Sequence, residues 1–411
     1  MRAHWITLLA LLLSACGSED RVVGPAPEGG AGSGASGGSG GSAGSGGASG
    51  SAGSSGSVGS GGSAGTSGSG GSAGSDGGGA GGATPRGERS LGMHIAEGSG
   101  EDYFAAVSAA QALGVTVVDI AMPWGSVQTA CSPAAYDPTF VGYLDALTSF
   151  KTLGLKVGFV VLGPINTNVK EVPAELAARP LDDPAVVACF NGFVDFVLDK
   201  LANVDLHSFA IGNEIDGWLG TDAARWQEYA AFYQATRAHV KSVRPTLAVG
   251  TVGTLDGQLG PAKQRFIDLN RDSDLILFTT YALESDFTVK PVSSVDSEWD
   301  ALVAQYPGKR IHAQEAGHPS ATICQSSEAE QAEYMSAVFR AWDRHAAALD
   351  TVYIAFLTDW DPTKIGEIAS YYGIDDPRFE GYLGSLGLRR WDTTRKLSYA
   401  RVQAETAARG W

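Results

Sequence analysis

The segment GLKVGFVVL, residues 154–162, shows the pattern on which the fold assignment rests. A glycine closes an amphipathic stretch and leads at once into a short, almost continuously apolar run. The same step occurs at residues 114–122, GVTVVDIAM. Continuous apolar runs of this length are typical of parallel strands that are buried on both faces, and glycine commonly follows the last turn of a helix. We therefore expect buried parallel strands to alternate with helices.

The chain contains eight such apolar runs. They cover residues 91–96, 115–122, 155–162, 208–212, 247–252, 275–281, 310–313 and 352–357. Amphipathic stretches with helical spacing lie between them, at 102–113, 140–153, 184–201, 222–243 and 328–349. Eight strand–helix units in roughly 320 residues predict a (β/α)8 TIM barrel. A doubly wound open sheet is the alternative, but residues 94–100, HIAEGSG, lack the glycine spacing that opens such a sheet.

The first 15 residues have the features of a signal peptide. Arg2 precedes an apolar run of nine residues, which is too short to span a bilayer as a helix. The following string, Leu13-Ser14-Ala15-Cys16, resembles the lipobox of bacterial lipoproteins. That resemblance implies a lipid attached to Cys16, export, and a place at the outer membrane or cell surface. An ordinary signal peptide that happens to contain a cysteine is the alternative.

The composition of residues 16–85 predicts a flexible linker between the anchor and a globular domain at 86–411. Of the 55 glycines in the chain, 27 lie within residues 29–83, where all but three residues are Gly, Ser or Ala. Such a composition cannot bury enough apolar surface to fold. A flexible coil of this length spans about 40 Å on average. It would hold the globular domain clear of a membrane surface and within reach of a large substrate outside.

The net charge of the chain excludes one class of binding partner. The formal net charge is −16, and a surface this acidic repels phosphate backbones, so we expect no nucleic-acid partner.

Export makes disulfides possible for Cys131, Cys189 and Cys324, of which one must stay unpaired. We favour the Cys131–Cys189 pair, because the loop after the second strand should lie beside the start of the third helix. Three free thiols are the alternative.

Two glutamates follow apolar runs at places where a barrel carries its catalytic groups. The fourth run ends in Ile211-Gly212-Asn213-Glu214, and the seventh in His312-Ala313-Gln314-Glu315. In a TIM barrel the carboxyl ends of all strands meet at one mouth, so the two carboxyl groups should face each other. Such a pair, one member protonated and the other ionised, is what glycoside hydrolysis requires.

This layout resembles clan A of the glycoside hydrolases, whose (β/α)8 barrels carry an Asn-Glu pair ending strand four and a Glu ending strand seven. The resemblance implies that Glu214 is the acid/base and Glu315 the nucleophile of a retaining mechanism. It implies that Asn213 holds the sugar 2-hydroxyl and that Tyr281 hydrogen-bonds the nucleophile. Trp360, after the eighth run, matches the tryptophan that floors the subsite beside the cleavage point.

Further candidates for sugar contacts are aromatic and histidine side chains near strand ends. Trp124 and Trp218 follow the second and fourth runs, and an exposed indole stacks well on a pyranose face. His94 and His318 could contact sugar hydroxyls or serve as structural hydrogen-bonding groups. Many clan members carry an arginine near the end of strand two, where this chain has Asp119. Either another cation supports the nucleophile, or this chain belongs to a divergent branch.

The sequence therefore predicts a retaining β-glycoside hydrolase, lipid-anchored and monomeric, that needs no metal or cofactor. We expect a polysaccharide or oligosaccharide substrate, with internal cleavage of a β-glucan or β-galactan in an open groove. Long loops after the second, third and eighth runs, at 125–138, 163–184 and 359–387, would shape that groove. The alternatives are an inactive glycan-binding lipoprotein and a transglycosylase that uses the same residues.

Overall fold

The structure is a computed structural model that describes residues 83–411. The signal peptide, Cys16 and the Gly/Ser/Ala-rich part of the linker lie outside these residues and stay predictions. Within residues 83–411, no helix combines the length and the apolar character needed to cross a membrane.

The centre of the fold is a nearly closed barrel of parallel strands. The strands of the described chain are β1 (Ser90–Met93), β2 (Val117–Pro123), β3 (Gln128–Cys131), β4 (Ala134–Tyr136), β5 (Lys156–Asn166), β6 (Val169–Lys170), β7 (Leu206–Asn213), β8 (Val249–Gly250), β9 (Val252–Thr254), β10 (Leu275–Thr280), β11 (Arg310–Ala316) and β12 (Leu349–Ile354). The barrel order is β8-β7-β5-β2-β1-β12-β11-β10-β9, with every neighbouring pair parallel. β8 and β9 both come from the fifth apolar run, so the ring closes through that short segment.

Helices connect the strands and cover the outside of the barrel. They are α1 (Tyr103–Gln111), α2 (Trp124–Val127), α3 (Pro138–Ala146), α4 (Ser149–Thr152), α5 (Pro184–Lys200), α6 (Asp216–Leu219), α7 (Ala223–Val243), α8 (Leu255–Leu259), α9 (Lys263–Leu269), α10 (Ser294–Gln305), α11 (Glu328–Arg344), α12 (Pro362–Tyr372), α13 (Pro377–Leu383) and α14 (Leu397–Arg409). Several start where the sequence supplies a cap: the Asp102 and Asp222 carboxylates accept hydrogen bonds from the first turns of α1 and α7.

All eight predicted strand runs are strands of the barrel, so the TIM barrel is confirmed. The end of β5 lies four residues beyond the predicted run, at Asn166, and β11 extends to Ala316 instead of ending at residue 313. The two extensions bring Asn166 of β5 and Gln314 and Glu315 of β11 to the carboxyl end of the barrel. The stretch at 140–153 forms two short helices, α3 and α4, instead of one.

One large side chain in the barrel interior requires glycine on two other strands. Tyr353 of β12 is fully buried, and its ring lies against Gly92 of β1. A Cβ atom at Gly92 would lie 2.1 Å from that ring, and one at Gly158 of β5 would lie 2.3 Å from the Tyr353 hydroxyl oxygen. These two glycines therefore make room for one aromatic side chain that spans the barrel.

The predicted disulfide is present. Cys131 at the end of β3 is bonded to Cys189 in α5, which joins the loop after β2 to the outer helix layer. Cys324 is a buried free thiol. The bond closes a loop with a sequence separation of 58 residues, so it restricts the unfolded chain considerably.

The long connection after β12 is not a loop, as the sequence analysis treated it, but a small folded subdomain. It contains α12 and α13, which share a separate apolar cluster of Ile368, Ala369, Phe379 and Leu383. Trp360 packs against this cluster from the barrel side. The connection is therefore held in one arrangement over the carboxyl ends of the strands.

Candidate active site

Glu214 and Glu315 lie at the carboxyl ends of β7 and β11, which open into the same mouth of the barrel. Glu214 directly follows β7, and Glu315 is the last residue but one of β11. The backbone of Glu214 has a positive φ of 44°, a conformation that is strained for a residue with a side chain. Such strain is typical of functional positions, where surrounding contacts hold a side chain in one direction.

Two threonine hydroxyls hold the Glu214 carboxylate from opposite sides. Thr167, after β5, donates to Glu214 Oε2 at 2.8 Å, and Thr279 of β10 donates to Oε1 at 2.6 Å. Both oxygens are thereby fixed by groups from two different strands. This arrangement orients the carboxyl group before any substrate arrives.

Tyr281 is the main hydrogen-bonding partner of Glu315. It follows β10, and its hydroxyl donates to Glu315 Oε2. Burial and, after it, the nearby charge of Glu214 raise the pKa of Glu315 to about 8, although the bond from Tyr281 acts in the opposite direction. Glu315 therefore retains its proton at neutral pH.

Asp119 and His94 lie on the β1–β2 side of the mouth. Asp119 is buried, and its Oδ1 atom accepts a hydrogen bond from Gln314 Nε2 at 2.7 Å. His94 Nδ1 lies 3.7 Å from Asp119 Oδ2. Burial raises the pKa of Asp119 and the hydrogen bonds from His94 and Gln314 oppose this shift. At the position where the resemblance led us to expect an arginine, this chain thus places a buried carboxyl group whose charge also raises the pKa of Glu315.

Asn213 lies beside the candidate acid/base as expected. It is largely buried at the end of β7, and its Nδ2 donates to Asn166 Oδ1 at 3.2 Å. Asn166 in turn donates to the hydroxyl of Tyr371 at 3.1 Å. A chain of amide and phenol groups therefore links the end of β7 to the subdomain after β12.

The Trp360 side chain lies next to His94 at the mouth of the barrel. Their ring centroids are 6.0 Å apart, and Phe356 contacts both rings at 5.2 Å. The indole is half-buried, so one part of it packs on the subdomain and the remainder stays accessible. Its place agrees with a platform at the floor of a sugar subsite.

Three of the expected sugar-contacting residues lie in the protein interior instead. Trp124 is fully buried against Phe190, with ring centroids 4.9 Å apart, because the short helix α2 turns its indole towards α5. Trp218 is buried under Arg225, whose guanidinium lies 4.2 Å from the ring centroid. The expectation that these two indoles line the cleft is corrected accordingly.

His318 is also buried behind the mouth. Its Nδ1 lies 2.9 Å from the carbonyl oxygen of Pro319, and its ring packs against Tyr334. Burial lowers its pKa to about 4, so the imidazole is neutral. These contacts give His318 a structural place, one of the two roles that the sequence left open.

Four residues of the site were missed in the sequence analysis. Thr167 and Thr279 hold Glu214, and Tyr372 and Tyr382 of the β12 connection face the two glutamates. The threonines lie at strand ends, which is the signal that could have identified them. The tyrosines do not lie at strand ends, and their connection was taken for a loop.

Within the described residues 83–411, no group of three or more His, Cys, Asp or Glu side chains is arranged to hold a metal ion.

The sequence matches no protein-family model and no curated protein, whereas the fold matches many solved structures. A GH5_18 protein from Streptomyces cattleya, solved with GlcNAc, is 17% identical with a TM-score of 0.59, covering 79% of this chain and 80% of that chain. An exo-β-1,4-mannosidase from Opitutaceae bacterium strain TAV5 is 15% identical with a TM-score of 0.59, covering 78% and 59% of the two chains. The GH53 catalytic domain of Ignisphaera aggregans is 14% identical with a TM-score of 0.55, covering 78% and 98%. The fold is therefore the barrel found in glycoside hydrolases of clan A, as the sequence predicted.

Proposed function

We propose that this chain is a retaining β-glycoside hydrolase that acts on a polysaccharide or oligosaccharide. The observation that carries the proposal is the pairing of Glu214 and Glu315. Their carboxyl groups come from the ends of β7 and β11, each is held by hydroxyl donors, and the charge of Glu214 raises the pKa of Glu315 together with burial. The fold that the chain shares with glycoside hydrolases also supports this proposed function.

In the first step Glu315 is the nucleophile and Glu214 the acid. The Glu315 carboxylate attacks the anomeric carbon, and Glu214 donates its proton to the departing glycosidic oxygen. This distribution needs one proton for the two carboxyl groups. Burial and the charge of Glu214 favour that proton on Glu315 in the free protein, so it has to pass to Glu214 when the substrate binds. The Tyr281 hydroxyl, by donating to Glu315, stabilises its ionised form before the attack.

In the second step Glu214 acts as a base. It removes a proton from a water molecule, which attacks the anomeric carbon and releases Glu315. Two successive inversions retain the configuration of the sugar. The fixed orientation of the Glu214 carboxyl, between Thr167 and Thr279, keeps it on the leaving-group side in both steps.

The choice of substrate class rests on the net charge of the chain. The strongly acidic chain suits a neutral glycan better than an anionic one. A β-glucan or a β-galactan stays our prediction, and the identity of the sugar will be decided by the contacts around Trp360, His94 and Asn213.

The first experiment measures hydrolysis of a panel of β-glucans, galactans, mannans and xylans, together with aryl β-glycosides. The variants are Glu214→Ala and Glu315→Ala, and the matched control is Glu333→Ala, an exposed glutamate of α11. We expect one glycan to release reducing ends and both active-site variants to lose at least about a thousandfold of that activity. Full activity in either active-site variant would refute the assignment.

The two rival functions give different results in the same assay. A glycan-binding barrel would bind one polysaccharide tightly and cleave none of the panel. A transglycosylase would form longer oligosaccharides at high substrate concentration, with both variants inactive. Hydrolysis to shorter products, dependent on both glutamates, distinguishes the proposed function from each.

We further propose that the chain is exported and anchored through a lipid on Cys16, at the outer membrane or cell surface. The proposal rests on the Leu13-Ser14-Ala15-Cys16 string and on the composition of the linker that follows. Labelled palmitate should be incorporated into the expressed chain and not into Cys16→Ser. A wild-type chain that stays unlabelled and outside the membrane fraction would refute the anchor.

A further inference from the structure

The connection after β12 is attached on one side to the end of β5. The Tyr371 hydroxyl donates to Glu171 Oε2 at 2.9 Å and accepts from Asn166 Nδ2 at 3.1 Å. Asn168 Nδ2 donates to the carbonyl oxygen of Tyr372 at 2.9 Å. These contacts join residues that lie some two hundred positions apart in the sequence. They fix the C-terminal end of α12 against the segment that follows β5.

On the other side the same connection is attached to the segments after β10 and β11. Arg378 Nη1 donates to Asp286 Oδ2 at 2.7 Å, and the carbonyl oxygen of Arg378 accepts from Cys324 Sγ at 3.4 Å. The Tyr382 ring lies 5.2 Å from that of Tyr281, edge to face. Aromatic contacts with Phe287 complete this second attachment.

The two attachments lie on nearly opposite sides of the barrel. If β8 and β9 are counted as one of eight positions in the ring, β5 and β10 are three positions apart in one direction and five in the other, and β5 and β11 are directly opposite. Only six residues lie between Tyr371 and Arg378, so the backbone must cross the mouth between these attachments. We call residues 371–382 the crossing segment. It begins and ends in α12 and α13, whose common apolar cluster keeps it folded.

The crossing segment passes over the catalytic pair. Tyr382 lies edge to face on Tyr281, whose hydroxyl donates to Glu315, and Tyr372 directly follows Tyr371, which is bonded to Asn166 beside Thr167. Burial raises the pKa of both half-buried phenols, and the charges of Glu214 and Glu315 act in the same direction. Both hydroxyls are therefore protonated donors at any working pH. They lie near Thr167 and Tyr281 respectively, the residues that hold the two carboxyl groups.

A backbone that crosses the mouth beside the reacting carboxyl groups would interrupt any groove through which a polymer could pass. We propose that the crossing segment closes one end of the sugar-binding cleft, so that the chain removes sugars from the ends of its substrate, with the Tyr372 and Tyr382 hydroxyls contacting the terminal sugar. This inference rests on the proposed glycosidase function. It replaces the internal cleavage that the sequence analysis expected from an open groove.

The test is the size of the first products. The purified protein is incubated with the polysaccharide that it cleaves best, and with the matching pentasaccharide labelled at its reducing end. We expect a sugar of constant, small size from the earliest time points, a labelled product that shortens stepwise, and nearly unchanged viscosity of the polymer. Intermediate oligosaccharides with an early fall in viscosity would overturn the inference and leave the glycosidase function standing.

A binding experiment separates the two proposals when no cleavage is seen. Glu315→Gln is titrated with the polysaccharides of the panel before and after their partial acid hydrolysis. Binding per unit mass that rises with the number of chain ends supports the inference, even if the glycosidase function fails. Binding that does not depend on chain ends overturns the inference, and absence of binding to every glycan overturns both.

Single hydroxyl deletions test the role of the two tyrosines. Tyr372→Phe and Tyr382→Phe should each lower kcat/KM for the pentasaccharide about three- to tenfold, mainly through KM, without lowering the melting temperature. Tyr136→Phe, on the outside of the barrel, is the matched control and should leave both values unchanged. Wild-type kcat/KM in both mouth variants would refute their contact with the sugar.

Loosening both attachments tests the closure itself. The double variant Tyr371→Phe, Arg378→Ala removes one contact at each end of the crossing segment. We expect a larger share of internal cleavage than in the wild type, seen as intermediate oligosaccharides in the labelled assay. An unchanged product pattern, with both attachments shown to be released by faster hydrogen exchange, would count against closure by this segment.

Discussion

Replacing Glu315 by glutamine should stabilise the fold at high pH while removing activity. Burial and the charge of Glu214 raise the pKa of Glu315 from 4.5 to about 8. The neutral carboxyl is thus favoured in the folded state, and this contribution is complete below pH ~4.5 and lost as the pH rises through about 8. At 1.36 kcal/mol for each pKa unit, ionising the buried group costs up to about 5 kcal/mol above that pH. Glutamine does not ionise, so Glu315→Gln avoids this cost.

The assay is urea unfolding followed by tryptophan fluorescence at pH 4.5, 7 and 9, with wild type and variant side by side. We expect the free energy of unfolding of Glu315→Gln, relative to wild type, to rise by about 2 to 5 kcal/mol between pH 4.5 and pH 9. Glu333→Gln, an exposed glutamate in α11, serves as the matched control and should show no such change. If the free energies of unfolding of wild type and Glu315→Gln differ by the same amount at all three pH values, the pKa of Glu315 is not raised in the folded protein and the reasoning is refuted.

Other consequences concern the disulfide, the barrel interior and the acid/base. The pair Cys131→Ser, Cys189→Ser should lower the free energy of unfolding by up to about 4 kcal/mol, because the bond closes a loop of 58 residues; added reductant should destabilise the wild type and leave the variant unaffected. Gly92→Ala should cost about 1–3 kcal/mol, since its Cβ would lie 2.1 Å from a buried tyrosine ring, whereas Gly142→Ala in α3 meets no atom within 4 Å and should not destabilise; thermal melts of both test this. Thr279→Val removes a hydroxyl that donates to Glu214 at 2.6 Å and should lower kcat about tenfold with an unchanged melting temperature; equal kcat would show that this bond does not orient the acid.

The barrel could be predicted because its strands carry a local signal. A strand buried on both faces must be apolar along its whole length, and GLKVGFVVL at 154–162 shows this without reference to the rest of the chain. The two glutamates followed from the same signal, because in a barrel all strands end at one mouth. The Cys131–Cys189 bond likewise required only the order of the elements.

The remainder of the site depends on contacts between distant segments. Whether Trp124 faces the cleft or the core is decided by the orientation of α2 and by Phe190 in α5, neither of which a local pattern specifies. The role of Tyr382 depends on a connection that crosses the mouth. That connection did carry a signal: Asp361 before Pro362 is a helix start, and the Asp361 carboxylate caps α12 in the structure.

The proposed mechanism requires a covalent bond between Glu315 and the sugar. It is tested most directly by incubating the protein with an activated 2-deoxy-2-fluoro aryl β-glycoside of the sugar that it cleaves, followed by peptide mass spectrometry. We expect one glycosyl adduct per chain, located on Glu315, that does not form in Glu315→Gln. An adduct on any other residue, or turnover of the parent glycoside with inversion of the anomeric carbon, would contradict the assignment.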